Sequence, residues 1–157
     1  MAKLRHIALA TDDPTKTAEF YKEVFGFKEV GKIGGPNSTT GLAWGYYLSD
    51  GTLNLAILKF MNVDQLGKGL DYRGIHHFGV LVDDLEETTK KLEKVGSPCV
   101  LKPEPNTPNS YFEIKYRGPD GVVFDITDHP WVGAAPIGVG EVEIVERKKA
   151  REPEPAK

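Results

Sequence analysis

Two stretches of the chain carry the same mainly apolar pattern, each with a histidine near its start and an Asp-Asp pair at its end: "LRHIALATDD", starting at residue 4, and "IHHFGVLVDD", starting at residue 75. A short, largely apolar run bounded by turn residues predicts a buried strand. Strands are therefore expected at Leu4 to Thr11 and at Ile75 to Val82. Each strand runs into an Asp-Asp pair, Asp12-Asp13 or Asp83-Asp84, of the kind that caps a helix by accepting backbone N–H bonds. The first helix is predicted over Thr15 to Val24, with Pro14 at its start and Gly26 as its stop. Its apolar positions, Ala18, Tyr21 and Phe25, recur at helical spacing. The second helix is predicted over Leu85 to Val95, with Gly96 as its stop.

After each helix the pattern returns to strands. In the first half these are "FKEVGKI", "LAWGYYLS" and "TLNLAILKF", with the turn Asp50-Gly51 between the last two. In the second half "CVLKPEP", "SYFEIKYR" and "GVVFDITD" follow, with a turn at Asp120-Gly121. A shift of 71 places superimposes His6 on His77 and Thr17 on Thr88, and a shift of 70 superimposes Gly26 on Gly96 and the two Asp-Gly turns. The common order of these matches points to an internal duplication. The expected organisation is an α+β fold of two tandem βαβββ modules, at residues 1–60 and 75–130, joined by a connector at 61–74. A C-terminal extension follows at 131–157, its last ten residues read as a mobile tail. "GKIGGPNSTTG" lacks the spacing of a phosphate-binding loop and reads as a flexible lid.

Composition narrows the function classes. The chain has 157 residues, 39% hydrophobic and 27% charged, with a formal net charge of -3. That balance argues against the basic stripe a nucleic-acid partner requires. Neither a targeting segment nor an apolar run of membrane-spanning length is visible, so a cytoplasmic protein without membrane contact is expected. Cys99 is the single cysteine and forms no internal disulfide.

The candidate chemistry lies in the strands. His6, Ala8 and Ala10 share one face of the first strand, and His77, Gly79 and Leu81 share the matching face of its repeat. Asp125, in the middle of "VVFDIT", is costly to bury unless paired or bound to a cation. Two histidines and a carboxylate on three strands suit a divalent transition metal with positions left open for water or substrate. His76 should point to the opposite face, towards solvent or packing. Glu113 alternates with Tyr111 and Lys115 and is a candidate general base. His129 is either a partner or proton shuttle at the site or simply the end of a strand. Trp44, Tyr46 and Tyr47, together with Tyr116, are candidates for a substrate-pocket wall or for ordinary core packing.

The paired modules, the histidine in each opening strand, the Asp-Asp caps and "GPDG" before an acidic strand resemble the vicinal oxygen chelate superfamily over about residues 3 to 128. That superfamily includes glyoxalases, epimerases, extradiol dioxygenases and bleomycin-resistance proteins. The resemblance implies an incomplete mixed β-barrel around one divalent metal ion (iron, manganese, nickel, cobalt or zinc), acting on a small-molecule substrate with vicinal oxygens, in a homodimer. It assigns His6, His77 and Asp125 as metal ligands, with Asp125 where relatives usually carry Glu. A fourth ligand is expected in the last strand of the first module. Shifting Asp125 back by 70 gives Leu55, which cannot ligate, and Asn54 is reached only by a slip of one residue.

Three ligands resemble the extradiol dioxygenase pattern. Against that, Lys115 stands four places before Pro119, where the ring-cleaving motif expects tyrosine, and no histidine occurs between 78 and 128. Gly118 also replaces the usual acidic residue. Lyase or isomerase chemistry and ring-cleaving dioxygenation both remain open. The rival from another class is a metal-free small-molecule-binding protein of the bleomycin-resistance type.

Overall fold

A computed structural model describes residues 2–37, 43–61, 66–102 and 113–129. Residues 38–41 of the expected lid, the start of the "SYFEIKYR" strand and the C-terminal extension lie outside the described residues, while residues 31–33 of that lid belong to a strand. The elements run β1 (Lys3–Ala10), α1 (Pro14–Phe25), β2 (Lys28–Ile33), β3 (Ala43–Ser49) and β4 (Asn54–Phe60). They then repeat as β5 (Gly74–Leu81), α2 (Leu85–Lys94), β6 (Cys99–Leu101), β7 (Ile114–Arg117) and β8 (Val123–Thr127).

The helix starts follow from their caps. Asp13 has extended backbone and its side chain accepts the N–H of Lys16 at 3.0 Å, with Pro14 at the first helical position. Asp84 does the same for Glu87 at 2.8 Å. Gly26, at φ 71°, closes α1 in the left-handed conformation that a side chain would oppose. The Asp50-Gly51 connection is wider than the two-residue turn its sequence suggests. Ser49 pairs with Asn54, leaving four residues in the loop, and Asp50 Oδ1 accepts the N–H groups of Thr52 and Leu53, each at 2.7 Å.

All eight strands form one mixed sheet, in the order β2-β3-β4-β1-β5-β8-β7-β6, which does not close into a barrel. The fold is α+β, as expected. Within each half the opening strand pairs in parallel with the last, β1 with β4 and β5 with β8. The halves meet through antiparallel pairing of β1 with β5. This arrangement sets the two histidine-bearing strands side by side at the centre of the sheet.

One sheet face is covered by helices. Ala18 and Tyr21 of α1 pack on Leu48, Ile57 and Tyr46, while Leu85 and Leu92 of α2 pack with Val82, Ile114, Tyr116 and Ile126. Side chains alternate across the sheet, so Ala8, Tyr47, Ala56 and Leu58 form an apolar cluster on the opposite, inner face of the first half. In the second half that inner face carries charge instead. No helix among the described residues is long and apolar enough to cross a membrane.

Candidate metal centre

The pairing register places the site. His6 stands opposite Gly79, Gly79 opposite Asp125, and Asp125 opposite Lys115, making one row across β1, β5, β8 and β7. The glycine leaves a gap in the middle of that row. A Cβ on Gly79 would lie 2.2 Å from His6 Nδ1 and 2.7 Å from Asp125 Oδ1, so the two side chains converge only because nothing larger than hydrogen stands between them. His77 enters from two residues earlier on β5, and Glu113, immediately before β7, shares the face of Lys115.

One ligand atom from each of His6, His77, Glu113 and Asp125 falls within 4.8 Å of all the others. His6 and His77 each place Nε2 3.4 Å from Asp125 Oδ2. His6, His77 and Asp125 are almost wholly inaccessible to solvent, and the Glu113 side chain is only 13% exposed.

Two cations lie within this group. Lys115 Nζ is 3.1 Å from Glu113 Oε2, 3.1 Å from Asp125 Oδ2 and 3.2 Å from His77 Nε2. Arg5 Nη2 donates to Glu113 Oε1 and lies 3.4 Å from Asp125 Oδ1 and 3.2 Å from His6 Nδ1. Its Nη1 donates to the carbonyl of His129 at 3.2 Å.

Strict alternation would turn Arg5 away from His6. Between Leu4 and His6, however, the β1–β5 register slips, and both Arg5 and His6 are buried. A bulge of this kind re-aims a side chain. The repeat does the same in β5, where a slip separates His77 from Ile75. His76 is therefore buried rather than solvent-facing, with Nδ1 2.8 Å from His77 Nδ1 and its ring packed 4.3 Å from that of Phe60. A hydrogen bond between the two Nδ1 atoms fixes the His77 ring with Nε2 towards the carboxylates.

Burial dominates the electrostatics. It pushes the imidazolium form of His6 down to a pKa of about 3, and desolvation with the Lys115 charge lowers His77 well below its ordinary value. Both rings are therefore neutral at physiological pH. Burial raises Asp125 to about 6, against the opposing pull of Lys115. Glu113 is also desolvated, but Lys115, His6 and Arg5 outweigh that and hold it at about 2. The two carboxylates in turn raise Lys115 despite its desolvation.

The donor set fits a divalent transition ion: neutral imidazole nitrogens and carboxylate oxygens from separate strands, close enough to share one centre. Glu113 is a weak general base, because neighbours that hold its pKa at about 2 leave its carboxylate little affinity for a proton. Its geometry suits a ligand instead.

The remaining expected site residues are placed elsewhere. Asn54 is buried in register with His6, whereas the residue that matches Asp125 in the first half is Ala56. Asp125 stands opposite Gly79 as Ala56 stands opposite Ala8. Tyr46 faces α1, with its hydroxyl 3.1 Å from Thr15 Oγ1, and Trp44 shares that face by alternation. Tyr116 belongs to the core under α2, its hydroxyl 3.5 Å from Thr89 Oγ1. Of the candidate pocket aromatics, Tyr47 is the one on the inner face, where Phe60 also packs. His129 is exposed and its Nδ1 meets Asp128 Oδ1 at 2.5 Å; only its backbone carbonyl reaches the cluster, through Arg5. Lys115 was legible in part from its alternation with Glu113, but Arg5 left no signal in the alternation pattern.

The model of the Glyoxalase/Bleomycin resistance protein/Dioxygenase superfamily matches residues 3–126, and the chain belongs to that superfamily. The chain is 25% identical over 127 residues to a probable chloroplastic lactoylglutathione lyase of Arabidopsis thaliana, a match covering 80% of this chain and 35% of that protein. It thus spans about a third of that relative's length. An uncharacterized protein of Bacillus subtilis, YwbC, is 25% identical over 122 residues, covering 77% of this chain and 94% of its own. Among solved structures, Streptomyces coelicolor methylmalonyl-CoA epimerase in complex with 2-nitronate-propionyl-CoA superimposes with a TM-score of 0.59 at 19% identity. That match covers 79% of this chain and 94% of the epimerase, and it establishes likeness of fold.

Proposed function

We propose that the chain is a divalent-metal-dependent enzyme of the lyase or isomerase type, moving a proton on a small substrate with two adjacent oxygens. The observation that carries this reading is the convergence of His6, His77, Glu113 and Asp125 from different parts of the sheet on one centre. A bound ion would supply Lewis acidity, polarising substrate oxygens and stabilising negative charge that develops on them.

The chain's own residues prepare that centre. His6 and His77 offer neutral nitrogens, with His76 orienting the second ring. Arg5 anchors Glu113 and lies against His6 and Asp125, and the buried strands exclude water. The names of the Arabidopsis lyase and the Streptomyces epimerase support proton-transfer chemistry over ring cleavage. The place of the ring-cleaving tyrosine is held by Lys115, whose ammonium enters the cluster.

That ammonium also favours a second reading, a metal-free protein that binds a small molecule, because Lys115 and Arg5 already neutralise both carboxylates. Elemental analysis separates the two readings. Protein purified without chelators or a histidine tag is expected to carry about one equivalent of metal and Asp125→Ala none. A wild type that stays empty after anaerobic loading with each candidate ion overturns the enzyme reading.

A further inference from the structure

Lys115 stands where a cation bound by this cluster would stand. Its Nζ touches Asp125, Glu113 and His77, three of the four members, at 3.1, 3.1 and 3.2 Å. An ammonium accepts such distances, whereas a transition ion draws its ligands in to about 2.0–2.2 Å. The two positive charges cannot share those oxygens, so a metal displaces the ammonium.

Arg5 is fastened by Glu113, Asp125 and the His129 carbonyl. Lys115 has a flexible four-carbon stem and a side chain that is 12% exposed, against 3% for Arg5.

The charges then decide what enters. The four charged side chains balance, Arg5 and Lys115 against Glu113 and Asp125. A divalent ion leaves an uncompensated excess of positive charge in a buried site, an unfavourable state unless an anion accompanies it. A neutral diol or ketol does not supply that charge; a carboxylate beside a hydroxyl or keto oxygen does, while still presenting vicinal oxygens. Extending the metal-site reading on which it rests, we propose that the substrate is an α-oxygenated carboxylate and that Lys115 exchanges Asp125 and Glu113 for the substrate's carboxylate. Lys115 is thus a specificity residue for substrate charge.

The test is calorimetry on the full chain with zinc, glycolate and its neutral isostere glycolamide as probes. Zinc titrated into wild type and Asp125→Ala examines the metal site alone. Zinc-loaded wild type is expected to prefer glycolate over glycolamide by at least about tenfold. Lys115→Met is expected to narrow that preference towards what the zinc ion alone provides while binding zinc more tightly, and Lys115→Arg to keep it.

Equal binding of the two probes by zinc-loaded wild type, or an undiminished preference in Lys115→Met, overturns the proposal and leaves the metal site standing. Failure of wild type to bind zinc removes the metal site and the proposal together.

A measurement on the unaltered protein covers the case in which Lys115→Met does not fold. Acylation of Lys115 by an activated ester, read by peptide mass spectrometry, should be slow without zinc, rise with zinc and fall again when glycolate is added. Equal labelling in all three conditions overturns the proposal.

Discussion

The two halves of the sheet share one topology and differ in what they do with it. In the first half the inner face closes over Ala8, Tyr47, Ala56 and Leu58, and among the described His, Cys, Asp and Glu residues His6 alone reaches the centre from this half. In the second half the same face carries His77, Glu113, Lys115 and Asp125. The contrast is clearest at matched pairs: Ala8 faces Ala56 across β1 and β4, while Gly79 faces Asp125 across β5 and β8. A methyl pair fills its space and holds nothing, whereas a glycine beside a carboxylate opens a gap into which a neighbouring histidine reaches. The repeated backbone therefore fixes where inward side chains arise, and the residues at two or three positions decide which half becomes a packing layer and which a charged centre.

Removing the gap at Gly79 should break this contrast most severely. Gly79→Ala places a Cβ 2.2 Å from His6 Nδ1 and 2.7 Å from Asp125 Oδ1. Overpacking of this kind is expected to cost about 1–3 kcal/mol of stability, read by denaturant unfolding, and to abolish stoichiometric metal binding. The matched change Ala8→Gly in the first half should lose about 1 kcal/mol and leave metal binding intact.

Writing the second half's chemistry into the first sharpens the same point. Ala56 is buried opposite Ala8, so Ala56→Asp adds a carboxylate on the face that carries the site. Metal-free protein should lose about 2–3 kcal/mol, and added metal should restore part of the loss. An equal loss with and without metal would show that the two halves are not equivalent frames.

A pH titration tests which group limits binding. Asp125, raised by burial to about 6, must lose its proton to ligate, while His6, lowered to about 3, is already neutral. Metal affinity measured by competition should therefore fall about tenfold per pH unit below about pH 6, with no step at the usual histidine range. The sign for the metal-free fold is opposite. A carboxyl raised above its ordinary 3.8 contributes stability below that value and loses it as pH rises through about 6.

The smallest effect belongs to the helix side. Tyr46→Phe removes one hydroxyl contact to Thr15 and should cost no more than about 1 kcal/mol, with metal affinity unchanged. A marked loss of metal binding would place Tyr46 at the centre after all.

Much of the plan was legible before any tertiary contact was known. Short apolar runs ending in Asp-Asp located β1 and β5, Asp13 and Asp84 announced their helices, and the repeat put His6 and His77 at matched places. Asp125 stood out because a carboxylate in an apolar strand needs a partner. Glu113 was singled out too, as a base rather than a ligand, while the fourth ligand was sought in the first half. A constant shift of 70 pointed from Asp125 to Leu55, whereas strand pairing matches Asp125 with Ala56. Offsets along a chain absorb loop-length differences that hydrogen-bonded register does not. Arg5 and His76 escaped for a related reason, since each sits at a bulge where the period of two fails.

The sequence by itself therefore determined the duplication, the caps and the residue types able to hold a cation, because these depend on local periodicity and on chemistry that no neighbour alters. The tertiary structure alone decided that Glu113, Lys115 and Arg5 join them, that Trp44 and Tyr46 turn to the helix side, and that Ala56 is the first half's match for Asp125. Periodicity states which side chains share a face; only pairing between strands distant in sequence states what lies opposite them, and a binding centre is made of what lies opposite.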